Sequence, residues 1–109
     1  MNVSLYVAQR AAAAIMAPMI VVHVGVIFYA TRHGLTAVDI LMRTRGNLAW
    51  GTFYALFVLA ASSHAAIGIR NILAEWSPLD DRAAGIASLI FGLALLALGL
   101  LAVAAVTLP

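Results

Sequence analysis

Two histidines lie deep inside apolar stretches of this 109-residue chain, His23 in the first stretch and His64 in the second. An ionisable side chain at membrane depth is rare, costly and usually functional. Imidazole is a common axial ligand of haem iron, and it also relays protons across membranes. The structural alternative is a neutral imidazole that hydrogen-bonds to a neighbouring helix and only holds a bundle together. The third histidine, His33, stands beside Arg32 and Gly34, where we expect a solvated interfacial residue.

The depths of His23 and His64 decide whether the two side chains can share one iron. If their helices run antiparallel, His23 lies 13 positions from Arg10, and His64 lies six positions from Arg70 at the same membrane face. The difference of about 7 residues corresponds to about 10 Å at 1.5 Å per residue. One iron spans only about 4 Å between two ligand nitrogens, because each metal–nitrogen bond is about 2 Å long. We therefore expect the histidines in different layers. If both bind iron, each needs a partner histidine from outside this chain.

The composition indicates that the solvent of this chain is lipid. Hydrophobic residues make up 65% of the chain and charged residues 9%, whereas a soluble domain carries about 25% charged residues. Six arginines, four acids and no lysine give a net charge of +2. These few cations are too scattered for a nucleic-acid surface, so no nucleic-acid partner is expected. Cysteine is absent, which excludes disulfides, thiolate nucleophiles and cysteine-bound metal clusters in this chain.

Three apolar runs predict three transmembrane helices, because about 20 residues at 1.5 Å each cross about 30 Å of hydrocarbon. We expect helices over about 9–32, 47–74 and 82–108, forming an all-α integral membrane three-helix bundle that is a single domain over 1–109. The first connection mixes apolar residues with Asp39 and two arginines, which is typical of a short interfacial helix. Three arginines fall at each end of the predicted bundle, so the arginine bias does not choose an orientation.

The N-terminal apolar run is longer than that of a signal peptide, whose apolar core is about 7–15 residues and ends at a small-residue cleavage site. This run closes instead on Tyr29-Ala30-Thr31-Arg32, so we expect it to be retained. Ser62 and Ser63 adjoin His64, but neighbours on a helix point in different directions and do not form a catalytic triad. We expect a serine here to return its hydroxyl to the helix backbone.

The segment around His64 resembles a family signature. Residues 63–76 read Ser-His-Ala-Ala-Ile-Gly-Ile-Arg-Asn-Ile-Leu-Ala-Glu-Trp, which is similar to the second helix of the membrane-anchor subunits of succinate dehydrogenase and fumarate reductase. In that family a haem-ligating histidine is followed by three apolar residues, by Gly-Ile-Arg, and then by an acid and an aromatic residue near the quinone. Asn71 stands where many members have a second histidine, and Glu75 and Trp76 stand where Asp with Tyr or Phe is common.

The first helix extends this resemblance. Gln9 and Arg10 at its start are similar to the family's entry segment, in which an arginine contacts quinone or a haem propionate, although Tyr6 replaces the serine often found upstream. A histidine at the depth of His23 resembles the first-helix ligand of anchors that hold two haems. The resemblance spans all three helices, but the third matches only as apolar packing.

The resemblance implies an anchor subunit, not catalytic alone, that binds haem b and helps to form a quinone site. It implies two haems per membrane unit, shared with a second anchor subunit or a second copy of this chain. The other implied partners are flavoprotein and iron–sulfur subunits, at a bacterial cytoplasmic (inner) membrane. His64 and His23 are the implied iron ligands. The full set of implied cofactor contacts is Arg10, His23, His64, Gly68, Arg70, Glu75 and Trp76.

Each of these positions also has a structural interpretation. Gly68, one turn beyond His64, admits either a flat macrocycle or a neighbouring helix. Arg10 and Arg70 share one helix-end level, where guanidinium groups pair with propionates or anchor helices at the interface. Glu75 and Trp76 are either a hydrogen bond and an apolar wall for a quinone or ordinary boundary residues. Two other functions stay open, a haem-free structural anchor and a small transporter or channel subunit whose histidines relay protons.

Overall fold

The computed structural model describes residues 2–109, and within that range it contains four helices and no strand. Helix α1 covers Val3–His33, α2 covers Ala37–Thr44, α3 covers Leu48–Trp76 and α4 covers Asp81–Thr107. The three long helices have the length and hydropathy of membrane spans, and the short α2 occupies the first connection. The predicted all-α bundle of three membrane helices is therefore confirmed, together with a short helix in the first connection.

Each long helix begins just after a side chain that caps its first turn. Asn2, Asn47 and Asp80 each accept a hydrogen bond from the backbone N–H three residues on, at 2.8, 3.1 and 2.7 Å. Helix α1 consequently starts at Val3, six residues before the expected start at about residue 9. The expectation was wrong because the apolar run marks the lipid-facing part, whereas the cap decides where the helix begins. The boundaries of α3 and α4 differ from expectation by one or two residues.

Helix α1 shields a single stripe of side chains and packs on α3. The stripe repeats at intervals of three and four residues, which is the spacing of a coiled-coil seam. Every other position of the helix is exposed. The stripe contains Leu5, Gln9, Ala12, Met16, Met19, His23, Val26 and Ala30. The two polar residues of the stripe, Gln9 and His23, therefore face α3 and not lipid.

Helices α3 and α4 approach each other closely because glycine recurs every seven residues in α4. A Cβ atom on Gly92 would lie 2.7 Å from the Cβ of Ala66, and one on Gly99 would lie 2.5 Å from a Cγ of Val58. Gly85 is the third member of the repeat. In lipid, apolar side chains gain nothing by leaving the solvent, so helices associate through close backbone approach of this kind.

The connection between α2 and α3 closes the C-terminal end of α4. The last carbonyls of a helix have no intrahelical donors, and lipid supplies none. The Thr44 hydroxyl donates to the Val106 carbonyl at 2.6 Å, and the Gly46 N–H donates to the Thr107 carbonyl at 2.7 Å. Gly46 does this with a φ of +73°, a conformation that glycine adopts without strain. The connection therefore satisfies two carbonyls of α4 and fixes α2 beside them.

Helix α2 is fixed at both of its ends. The Thr36 hydroxyl and the Asp39 side chain form a capping box with each other's backbone N–H groups, at 3.1 and 3.2 Å. The hydrogen bonds from the Thr36 hydroxyl and then from its backbone N–H hold the pKa of Asp39 below its ordinary value of 3.8. At the other end, Arg43 Nη2 donates to the Gly34 carbonyl at 2.8 Å. The start of the connection is thereby tied to the last turn of α2.

We predict that Gly99→Leu destabilises the bundle by about 1–3 kcal/mol, because the new side chain would overlap Val58 on α3. Gly25→Leu is the matched control, since a Cβ atom at Gly25 meets nothing within 4 Å. Circular dichroism at increasing SDS fraction measures the free energy of unfolding of both variants in detergent. Equal stability of the two variants would contradict the glycine-mediated packing of α4.

Candidate functional site

The two intramembrane histidines lie on the face between α1 and α3. Tyr54 of α3 contacts His23 of α1, and Gly68 of α3 faces Gln9 of α1. His64 lies one turn before Gly68, and residues four apart share a helix face. His64 therefore belongs to the face of α3 that packs on α1. The residues of this face recur at intervals of three and four, at positions 54, 57, 61, 64 and 68.

One ring nitrogen of His64 lacks a hydrogen-bond partner within the described part of the chain. Its Nδ1 atom is buried and has no hydrogen-bond partner in residues 2–109. A buried polar atom left unpaired costs about 1–3 kcal/mol. The Gln9 Oε1 atom is buried and unpaired in the same way. Gln9 faces Gly68, which is one helical turn from His64 along α3. The two unpaired atoms, one on α1 and one on α3, therefore lie in the contact between these helices at levels about one turn apart.

Gly68 faces the side chain of Gln9. The Gln9 Nε2 atom lies 3.6 Å from the position that a Cβ atom on Gly68 would take, an ordinary van der Waals distance. A Cβ atom would therefore fit at this position, and the neighbour that it would meet is an amide of α1. The approach of a macrocycle to Gly68 stays a prediction. The sequence placed Gln9 in the family-like entry segment but did not include it among the predicted cofactor contacts.

His23, unlike His64, has a hydrogen-bond partner in this chain. Its Nδ1 lies 3.3 Å from the Tyr54 hydroxyl, and its ring meets Tyr54 and Phe57 edge-on at centroid distances of 5.7 and 5.5 Å. If Nδ1–H donates to the tyrosine, Nε2 keeps the lone pair that a metal needs. If the tyrosine hydroxyl donates, Nε2 carries the proton, and His23 is a packing histidine. The contact itself is compatible with both tautomers.

The two histidines lie at different levels of the bundle. His23 is level with Tyr54 and Phe57, which are ten and seven residues from His64 along α3. At 1.5 Å per residue this separation is about 10–15 Å. Two nitrogens on one iron lie about 4 Å apart, so the histidines do not share an iron. The structure agrees with the separation expected from sequence.

The other residues predicted to contact a cofactor lie towards one end of the bundle, but they have different neighbours. Arg10 is exposed, with its guanidinium carbon 5.8 Å from the ring centroid of a tyrosine in its own helix. Arg70 lies against α4, with Nε 3.8 Å from the Cβ position of Gly85. Glu75 and Trp76 are exposed at the end of α3. All four lie towards one end of the bundle, and their contacts with a cofactor stay predictions.

Two smaller expectations concern polar side chains on the long helices. The Ser62 hydroxyl donates to the Val58 carbonyl at 2.7 Å, which confirms that it bonds back to its own helix. His33 is exposed in the last turn of α1, where its ring stacks on Tyr29 at a centroid distance of 4.1 Å. Its position at the helix end is that of the solvated interfacial residue expected from sequence.

A cavity of about 940 Å³ lies in the other half of the bundle, away from Arg70. It is a partly open cleft lined by the second half of α1, by α2, by the first half of α3 and by the second half of α4. We call it the α2 cavity. The sequence did not reveal it, because its walls come from four helices whose relative placement the sequence does not give. Tyr54, the partner of His23, contributes to one wall.

Comparison with protein-family models, with curated proteins and with solved structures gives no match for this chain. Within residues 2–109, no three histidine or acidic side chains lie together in a group that could hold a metal ion. A haem iron needs from the protein only its axial ligands. His23 and His64 are therefore candidate ligands as single histidines, without a metal-binding group around them in the described part of the chain.

We predict that the His23–Tyr54 hydrogen bond contributes a coupling free energy of about 0.6 kcal/mol, and at most about 1.7 kcal/mol, as measured for polar contacts between membrane helices. Tyr54→Phe removes only the hydroxyl and keeps the ring. A double-mutant cycle with His23→Ala, followed by SDS unfolding in detergent, measures the coupling. The same cycle with Tyr6→Phe, an exposed position, is the control. Strict additivity of His23→Ala and Tyr54→Phe would contradict the contact.

Proposed function

We propose that this chain is a membrane-anchor subunit that binds haem b through His64. It would carry electrons between a peripheral flavin and iron–sulfur enzyme and membrane quinone, in a complex of the succinate dehydrogenase and fumarate reductase type. The observation that carries the proposal is the buried, unpaired Nδ1 of His64 inside a membrane helix. The resemblance of residues 63–76 to that family's second helix gives this histidine its role. The chain has no dehydrogenase chemistry of its own.

The surroundings of His64 suit an axial ligand. A ligating imidazole binds iron through one ring nitrogen and needs a hydrogen-bond partner for the other. The buried Nδ1 of His64 has no such partner in residues 2–109, and the unpaired Oε1 of Gln9 on the neighbouring helix α1 is an acceptor that would fill this role if Nε2 binds iron. A packing histidine, by contrast, is expected to find hydrogen-bond partners within the bundle, as His23 does at Nδ1 with Tyr54. The contrast between the two histidines favours ligand binding at His64.

Haem b would supply a one-electron centre inside the bilayer. His64 would hold it at one level, and His23, about 10–15 Å away along the helices, would hold a second haem at another. Since the two histidines are too far apart to share an iron, each needs a histidine from outside this chain. The proposal therefore includes a second anchor subunit or a second copy of this chain, next to the flavoprotein and iron–sulfur subunits.

The charged and aromatic residues at the Arg70 end would serve the same complex. Arg10 and Arg70 carry guanidinium groups near the membrane boundary, where carboxylates of a propionate type would accept bidentate hydrogen bonds. Glu75 and Trp76 are exposed beside them along α3. They would offer a hydrogen-bonding carboxylate and an apolar wall to a quinone head group.

One alternative concerns His23 alone: this histidine packs the helices together and binds no haem. The hydrogen bond to Tyr54 already satisfies one nitrogen of this ring, as expected for a histidine that only packs. In that case the membrane unit holds one haem, bound at His64. The two-haem and one-haem versions of the proposal differ in the role of His23 and agree on His64.

We predict that His64→Ala removes haem from its level, because it deletes an axial bond while leaving an apolar segment that still spans the membrane. Haem content per chain, determined as the pyridine haemochrome of the purified complex, measures the loss. His33→Ala is the matched control, because His33 is exposed at a helix end. An unchanged haem content and spectrum in His64→Ala would show that this histidine is not a ligand.

We predict that His23→Ala removes one of two haems and leaves the other, with the loss resolved in a redox titration because ligation and burial set each potential separately. The wild-type complex should accordingly contain two haems. A wild-type complex with one haem would contradict the role of His23 as ligand. Its replacement would then cost mainly a helix–helix hydrogen bond, about 0.6 kcal/mol on average.

A further inference from the structure

The α2 cavity has the dimensions of a ligand site. Its volume of about 940 Å³ is near the upper end of the range of about 300–1,000 Å³ that is typical of ligand pockets. Its lining extends along α3 from Trp50 to Val58, about 12 Å at 1.5 Å per residue. Along α1 it extends over a similar length, from Val22 to Ala30. The cavity is therefore long and runs from the α2 end of the bundle towards the middle of the membrane.

Almost all of the cavity wall is apolar, and its only charged residue is Arg43 of α2. The Arg43 guanidinium is held in place by its bond to the Gly34 carbonyl at 2.8 Å and by the ring of Tyr29, whose centroid is 5.5 Å from Cζ. A guanidinium has five N–H donors. The bond to Gly34 uses one of them, so the others can bind an acceptor at the end of the cavity beside α2. We call this end the mouth of the cavity.

The end of the bundle around this mouth is cationic. Arg32, Arg43 and Arg45 lie there with one acid, Asp39. The Asp39 carboxylate is hydrogen-bonded to Thr36 in the capping box of α2 and interacts electrostatically with Arg43, which leaves three arginines against one acid at this end. A negatively charged group is therefore favoured over a neutral or cationic one at the mouth. Behind the mouth, the apolar wall favours hydrocarbon.

We propose that the α2 cavity binds one anionic glycerophospholipid, with an acyl chain between α1 and α4 and the phosphate on Arg43. Arginine binds phosphate oxygens in a bidentate manner, and a long apolar cavity that opens at the membrane boundary fits an acyl chain. Trp50 lines the cavity near this boundary, where indole rings lie at the level of lipid head groups. The proposal does not depend on haem, since neither His23 nor His64 lines the cavity.

Trp50 provides a direct test, because only one other tryptophan is present in the chain, Trp76 at the far end of α3. In the full chain carrying Trp76→Phe, in detergent, phosphatidylglycerol with brominated acyl chains should quench Trp50 fluorescence. Half-maximal quenching should occur at about tenfold lower concentration than with brominated phosphatidylcholine, the ratio expected from a charge-assisted hydrogen bond. Equal quenching by the two lipids, or no quenching by either, would overturn the proposal.

Four variants separate the cavity from general lipid contact. Gly25 lines the cavity and a Cβ atom there meets nothing within 4 Å, so Gly25→Leu should fill the space and abolish the preferential quenching. Ala17→Leu, at an exposed position outside the lining, should not. Arg43→Gln should lose the tenfold preference, whereas Arg43→Lys, which keeps the charge, should retain part of it. Circular dichroism checks that each variant is folded.

Two results would overturn the proposal in these variants. One is a preference for phosphatidylglycerol that survives Arg43→Gln in a folded protein. The other is an unchanged quenching curve in Gly25→Leu. A neutral isoprenoid quinone that displaces brominated phosphatidylglycerol at equal concentration would likewise show that the cavity does not select an anionic lipid.

Discussion

Lipid offers no hydrogen bonds, so each polar group of this protein at membrane depth needs a partner inside the protein or in something bound to it. The chain meets this constraint with local solutions. The Ser62 hydroxyl returns to its own helix, and Thr44 and Gly46 satisfy the carbonyls at the end of α4. Against this background the unpaired atoms of His64 and Gln9 are informative. They mark the place where we propose that a ligand binds.

Helix α3 has two contact faces, one that packs on α4 and one that packs on α1. The face towards α4 packs against glycines spaced seven residues apart, with Arg70 beside Gly85 at one end of the contact. The face towards α1 carries the polar groups, with His23 and Tyr54 at one level and His64 near Gln9 at another. Because close packing on α4 holds α3 firmly, the α1 face can tolerate the cost of unpaired polar atoms that a ligand would remove.

The apolar runs were sufficient to predict three spanning helices, and the residues of the first connection were sufficient to predict a short helix there. The start of α1 was misjudged because the cap at Asn2 lies outside the apolar run. The pairing of His23 with Tyr54 depends on the rotation of α1 about its axis, which composition does not encode. A signal for part of the packing was present in the sequence, since Gly85, Gly92 and Gly99 recur at heptad spacing and lie on the face of α4 that meets α3.

The central claim is that His64 is an axial ligand of haem iron. The most direct measurement is a reduced-minus-oxidised absorption spectrum of the unmodified chain, purified in mild detergent together with its membrane partners from a host supplied with haem. The account predicts a b-type signal, because packing histidines produce none. A folded preparation that contains every membrane subunit in equal amounts and shows no haem signal would contradict it.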